Sequence, residues 1–177
     1  MSDWVLSSSS DVRALAVVDG LGDWHGCGPH YSRRTPGSRT FTGVGREIVL
    51  VSSDGAAVFA TVLQKTPARR GSGSSRGRSN RSDEAVRMVW RNVLFRNLGP
   101  VRSSDLIRSA TDETFRLWEY RYGEIPTAPL RTEIKPKAIR STNPGYCYAC
   151  AGWTKGELRR GIQFYYAPGE LDRVRNK

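Results

Sequence analysis

The chain has 177 residues, enough for one domain with a single core and short for two. Its 28 Lys and Arg against 17 Asp and Glu give a formal charge of +11, which points to a polyanion, an acidic ligand or a charged surface as partner. No stretch approaches the roughly 18 apolar residues of a membrane helix, and the acidic start MSDWVLSSSSD lacks the basic region of a signal peptide; a soluble, cytoplasmic protein without a membrane partner is expected.

The elements follow in chain order. Ser10 is a candidate N-cap for a helix over Asp11–Leu21, with Val12, Leu15, Ala16 and Val18 near one face. Glu47–Val51 and Ala57–Leu63 flank the Gly-containing connection Ser52–Gly55 and read as an antiparallel hairpin. Lys65 to Ser82, KTPARRGSGSSRGRSNRS, carries six basic residues and no acid, with Gly and Ser leaving it flexible. Its guanidinium groups suit phosphates, and a solvated loop without a partner is the alternative. Val86–Phe95 is rich in Val, Trp and Phe and reads as a strand.

Beyond Arg96–Val101, Ser104 can cap a long helix starting at Asp105, where Leu106, Ile107, Ala110, Leu117, Trp118 and Tyr122 recur at helical spacing. Leu130–Ile134 reads as a short strand. Pro144 at the first helical position opens a short helix through Tyr146, Cys147 and Tyr148, which Gly152 ends. Gln163–Ala167 is a terminal strand, and the tail 168–177 is expected to fray. The whole, 1–177, reads as a single mixed α+β domain without a regular βαβ repeat.

Two local patterns carry a resemblance. Arg96-Asn-Leu98-Gly99-Pro-Val101, at a strand-to-helix junction, resembles the Gln/Arg-x-x-Gly-x-Gly/Ala motif of the GNAT acyltransferase superfamily, with Val101 in place of the small residue and Pro100 lacking a donor. Tyr148-Ala-Cys-Ala-Gly152-Trp153 resembles the Tyr-x-x-x-Gly-Phe ending of the last GNAT helix. The resemblance implies a central mixed sheet with a V-shaped splay flanked by helices, and an acetyl-CoA or related acyl-CoA donor. Its pyrophosphate would lie at Arg96, Leu98, Gly99, Val101 and Arg102, where a loop and helix N-terminus offer amide N–H groups. Tyr148 then becomes the candidate general acid for the leaving thiolate, the other reading being a packed aromatic with a satisfied hydroxyl.

A narrower likeness comes from Pro29-His30-Tyr31-Ser32-Arg33, which resembles the His-Tyr-Ser-Arg box of the Mom family, phage GNAT-like proteins that modify adenine in DNA. In that family a Glu- and Arg-bearing strand, an acid after the fifth strand and a Tyr-x-x-x-Asn/Gly-Trp segment follow; Glu84, Arg91, Glu133, Tyr148 and Trp153 occur here in that order. The family acid is usually Asp and lies closer to its Tyr. The resemblance implies catalytic roles for His30, Tyr31, Glu133 and Tyr148 in transfer to the exocyclic amine of adenine, in a reaction that protects phage DNA from restriction. Duplex adenine would first be flipped out, with Arg33, Arg34, Arg39, Arg69, Arg70, Arg76, Arg78 and Arg81 holding the backbone of double-stranded DNA.

Alternatives stay open. An N-acetyltransferase acting on a protein, a small amine or aminoacyl-tRNA would fit the GNAT patterns equally. A non-catalytic basic nucleic-acid binder would fit the charge. The three cysteines, Cys27, Cys147 and Cys150, are too few for a disulfide framework and favour a reducing compartment. With His25, they can form a four-ligand zinc set, or Cys147 and Cys150 can pack as small hydrophobes. The Mom likeness also makes an iron centre at His30 and Tyr31 conceivable. The metal and the oligomeric state stay open.

Overall fold

A computed structural model describes residues 4–19, 39–67, 86–138, 142–170 and 172. Among them, seven strands form one mixed sheet with helices on both faces. The elements are β1 (Trp4–Ser7), α1 (Val12–Asp19), β2 (Arg46–Ser52), β3 (Ala57–Pro67), β4 (Val86–Asn97), α2 (Ser103–Tyr122), β5 (Leu130–Ile134), α3 (Tyr146–Cys150), β6 (Thr154–Arg159) and β7 (Ile162–Tyr166). The spatial order is β1-β2-β3-β4-β5-β7-β6, antiparallel throughout except for β4 beside β5. No described helix is long and apolar enough to cross a membrane.

The central strands are buried on both sides, so they read as near-continuous apolar runs. One face packs against α2 and α3: Ile48, Leu50, Phe59 and Trp90 meet Ile107, Ala110, Leu117, Trp118 and Tyr148. The indole of Trp90 lies 5.0 Å from that of Trp118 and edge-on to Phe115. The other face holds α1, whose Ala14, Val17 and Val18 cover Val49, Val51, Val58, Ala60 and Leu94. Fully burying each large apolar side chain here contributes about 1.5–3 kcal/mol.

The long helix carries the expected apolar face, with Leu106, Ile107, Ala110, Leu117 and Trp118 all buried. It starts earlier than its apolar pattern indicates. Ser104 lies inside it and Arg102 is the N-cap residue, without a side-chain cap. Gly123 closes it in the left-handed conformation at φ 81°, its N–H donating to the Glu119 carbonyl.

The first helix differs from expectation in two ways. Asp11, not Ser10, caps it: the Asp11 carbonyl accepts Leu15 N–H and its Oδ1 accepts Arg13 N–H at 2.8 Å. The buried face is Ala14, Val17 and Val18, while Val12 is 77% exposed, because the i, i+3, i+4 set that starts at Ala14, not the one that starts at Val12, packs on the apolar sheet face. The hairpin β2–β3 forms as expected around Gly55 at φ 70°. Its second strand runs further, so Lys65, Thr66 and Pro67 belong to β3 and pair with Met88, Arg87 and Val86. Pro144 precedes the short helix rather than opening it. Gly145, at φ 86°, is the cap residue, and a Cβ there would lie 2.6 Å from the Tyr165 ring. Gly152 does end α3, with Trp153 N–H donating to the Tyr148 carbonyl and Gly152 N–H to that of Ala149.

The edge strands β1 and β6 are additional to the expected elements. The final hairpin turns at Arg160 and Gly161, with φ 51° and 75°, the positive pair of a tight two-residue turn. Glu170 is buried although it lies in the tail read as fraying, and its Oε2 accepts Leu130 N–H at 3.0 Å.

Candidate functional site

The site begins where β4 and β5 stop pairing. Ala60 pairs with Leu94 and Thr61 with Asn92, so Val93 is an extra residue that bulges β4. The parallel pairing of β4 with β5 covers Trp90–Asn92 against Leu130–Thr132 and ends at the residue before that bulge. The Asn92 amide fills the irregularity, its Nδ2 donating to the carbonyls of Ala60 and Leu94 at 2.9 Å each. Thr132 donates to the Asn92 carbonyl at 3.3 Å.

Tyr148 of α3 enters this junction. Its hydroxyl donates to Asn92 Oδ1 at 2.6 Å, and its ring meets Phe95, Trp153 and Tyr165. Desolvation pushes its pKa far above the ordinary tyrosine value, with the neighbouring Cys147 adding to the rise and a side-chain hydrogen bond with Thr132 opposing it. At neutral pH the hydroxyl therefore holds its proton and acts as a donor. Trp153 is buried beside it, its Nε1 donating to Thr111 Oγ1 at 3.1 Å. Tyr148 is thus a packed aromatic with an engaged hydroxyl.

The turn from β4 to α2 is built by Asn97. Its Oδ1 accepts Gly99 N–H at 2.9 Å, and its Nδ2 donates to the Val101 carbonyl at 2.7 Å. Leu98 N–H donates to the Ala56 carbonyl. A Cβ on Gly99 would stand 3.0 Å from Ala56 Cβ, so this close approach favours glycine. The amides of Leu98 and Gly99 are therefore occupied by the protein, and Pro100 has none. What remains for an anion is the uncapped start of α2, beside the exposed Arg102. Arg96 points to the other face, with Nη1 donating to the Val18 carbonyl at the end of α1.

Glu133 lies within β5, half-buried. Its Oε1 accepts from Arg131 at 3.1 Å, and its Oε2 lies 3.8 Å from Arg91 Nη1. Strand alternation sends Arg131 and Glu133 to the side opposite Leu130, Thr132 and Ile134, so Glu133 and Tyr148 sit on different faces of the sheet. Cys147 and Cys150, both on α3, are not in a disulfide; the first is half-buried and the second exposed. Among the described residues no group of three or more potential metal ligands occurs. His25, Cys27, His30, Tyr31, Arg33, Arg34, Arg69, Arg70, Arg76, Arg78, Arg81 and Glu84 lie outside the described residues, and Arg39 is exposed.

Sequence reasoning missed Asn92 and Thr132. The one available signal was an Asn inside the apolar run Val89–Phe95, where a strand disfavours it. No family model matches the chain, and no curated protein or solved structure matches it.

Proposed function

We propose that the chain is a GNAT-like transferase that modifies the exocyclic amine of adenine in DNA, in the manner of the Mom family. The observation that carries this reading is the junction where β4 and β5 part, because the resemblance implies a splayed sheet with a tyrosine at its opening. Here the pairing ends at Asn92, and Tyr148 stands at that point. The charge of +11 and the His-Tyr-Ser-Arg box favour DNA over other amine acceptors.

The residues present fit an acyl-CoA donor in one respect and not in another. Arg102 and the uncapped start of α2 suit a pyrophosphate, whereas the amides of Leu98 and Gly99 are already taken. Such a donor supplies an activated acyl group when bound. Tyr148 keeps its proton at neutral pH and can give it to a leaving group, but only by releasing Asn92 Oδ1. In this reading His30 is the base for the adenine amine, a role that imidazole suits because its unperturbed titration lies near neutrality. Because that amine is paired in duplex DNA, the base must leave the stack before it reacts.

An acetyl-CoA-dependent N-acetyltransferase is the second reading, favoured by the uncapped start of α2 beside Arg102. Mass spectrometry of nucleosides from DNA co-expressed with the chain separates the two. A new adenine derivative supports the DNA reading. Unmodified nucleosides together with acetylation of protein or small amines by the purified chain support the second.

A further inference from the structure

The sheet face that carries α1 changes character along its width. Under α1 it is apolar, formed by Val49, Val51, Val58, Ala60 and Leu94. Toward β5 and β7 it carries Arg91, Arg131, Glu133 and Phe164, and no described helix covers it there. Arg91 and Arg131 are direct partners in the parallel register of β4 and β5, which puts two guanidinium groups side by side on one face.

Glu133 gathers both. Arg131 donates to one of its oxygens at 3.1 Å, and Arg91 stands 3.8 Å from the other. Arg91 also donates to Gln64 Oε1, and the Arg131 guanidinium lies 4.8 Å over the Phe164 ring. These contacts fix both planes, so little side-chain freedom is left to lose on binding. The cluster is half-open: Arg91, Arg131 and Glu133 side chains are 30%, 16% and 28% exposed. Tyr166 links Arg131 to Glu157, which Arg159 pairs at 3.9 Å, so three positive charges against two carboxylates leave one positive charge. Both Nε atoms are buried and have no hydrogen-bond partner among the described residues. Because both Nε atoms are closed to solvent, the exposed part of each side chain lies elsewhere along it, and an anion meets the two arginines there.

We propose that Arg91 and Arg131, oriented by Glu133, bind a phosphodiester group of a nucleic-acid strand. A diester carries one negative charge, equal to the excess of the cluster, and its two oxygens match the planar guanidinium donors. The assignment rests on the reading of a nucleic-acid substrate and names where one backbone contact is made. In that role Glu133 orients two phosphate-binding arginines, which differs from the catalytic role implied by the Mom likeness.

The test uses the full chain and the dinucleoside monophosphate d(ApA), which contains a single diester, with its uncharged methylphosphonate analogue as control. Titration followed by 1H–15N NMR reads the side-chain Nε–H resonances of Arg91 and Arg131 directly in the parent protein. Both should shift with d(ApA), and the methylphosphonate should bind at least about tenfold more weakly, the loss expected for one charge-assisted contact. Arg131→Gln should show the same loss with d(ApA), whereas Arg108→Gln, on the exposed side of α2, should not.

Unmoved Nε–H resonances, or equal binding of the charged and uncharged ligands, would overturn the proposal. A shift with inorganic phosphate but none with d(ApA) would overturn the assignment to a nucleic-acid strand. Because the parent resonances are read directly, the test survives a variant that fails to fold. Modified adenine in co-expressed DNA alongside silent Nε–H resonances would leave the transferase reading standing and remove this site alone.

Discussion

The hydroxyl of Tyr148 donates to Asn92 Oδ1 across 2.6 Å, joining α3 to the residue next to the β4 bulge. Tyr148→Phe removes that donor and leaves a buried amide oxygen without it. We expect a loss of about 1–3 kcal/mol in urea denaturation, larger than a surface substitution gives. A variant as stable as the parent would mean that Thr132 or another donor takes over Asn92 Oδ1. If Tyr148 also supplies a proton in transfer, the folded variant loses base modification by about 10²–10⁴ in rate.

Glu170 gives a second stability test. It is buried, and its Oε2 accepts Leu130 N–H at the first residue of β5. Glu170→Ala should cost about 1–3 kcal/mol by leaving that amide unpaired. Hydrogen exchange at Leu130 should accelerate in the variant. Truncation after Pro168 should reproduce the effect, whereas a tail that contributes nothing would leave exchange unchanged.

Asp11 makes stability depend on acid. The side-chain hydrogen bond from Arg13, that from Ser7 and the Arg13 backbone N–H hold its pKa well below the ordinary carboxylate range. A depressed folded-state pKa gives a contribution that is complete above the unfolded value, about 3.9, and is lost as pH falls through the folded value. Asp11→Ala should therefore cost about 0.5–2 kcal/mol at neutral pH, as other cap removals do. The gap between parent and variant should narrow below the unfolded value in thermal melts across pH. A gap that widens in acid would contradict the cap assignment.

The basic segment bears on DNA affinity. If Arg69, Arg70, Arg76, Arg78 and Arg81 contact phosphates, log K for duplex DNA falls steeply with log salt, by about 0.9 for each phosphate neutralised. Replacing the five by Gln should flatten that slope in fluorescence anisotropy titrations over a salt series. A slope unchanged by the replacement would leave the segment solvated and without a DNA role.

Much of the architecture was legible because its driving forces are local. The apolar runs of β2 and β3, the helical spacing from Leu106 to Trp118 and the stop at Gly152 are patterns that one segment carries alone. The edge strands were not. β6, Thr154–Arg159, is mostly exposed and almost without apolar residues, so only its pairing with β7 makes it a strand. β1 is four residues long and buries no full face. At the candidate site, Tyr148 and Gly99 were singled out by motif, whereas the acceptor of Tyr148 and the use of the Gly99 amide depend on residues distant in the chain or on turn geometry. The bulge at Val93 follows from the register between two strands, which neither strand encodes by itself.

The most direct test of the transferase reading is nucleoside mass spectrometry of DNA co-expressed with the parent chain, with His30→Ala and with Tyr148→Phe. The account predicts a derivatised deoxyadenosine with the parent and its loss in both folded variants. Unmodified deoxyadenosine with a soluble, folded parent, or the same derivative at the same level in both variants, would contradict it.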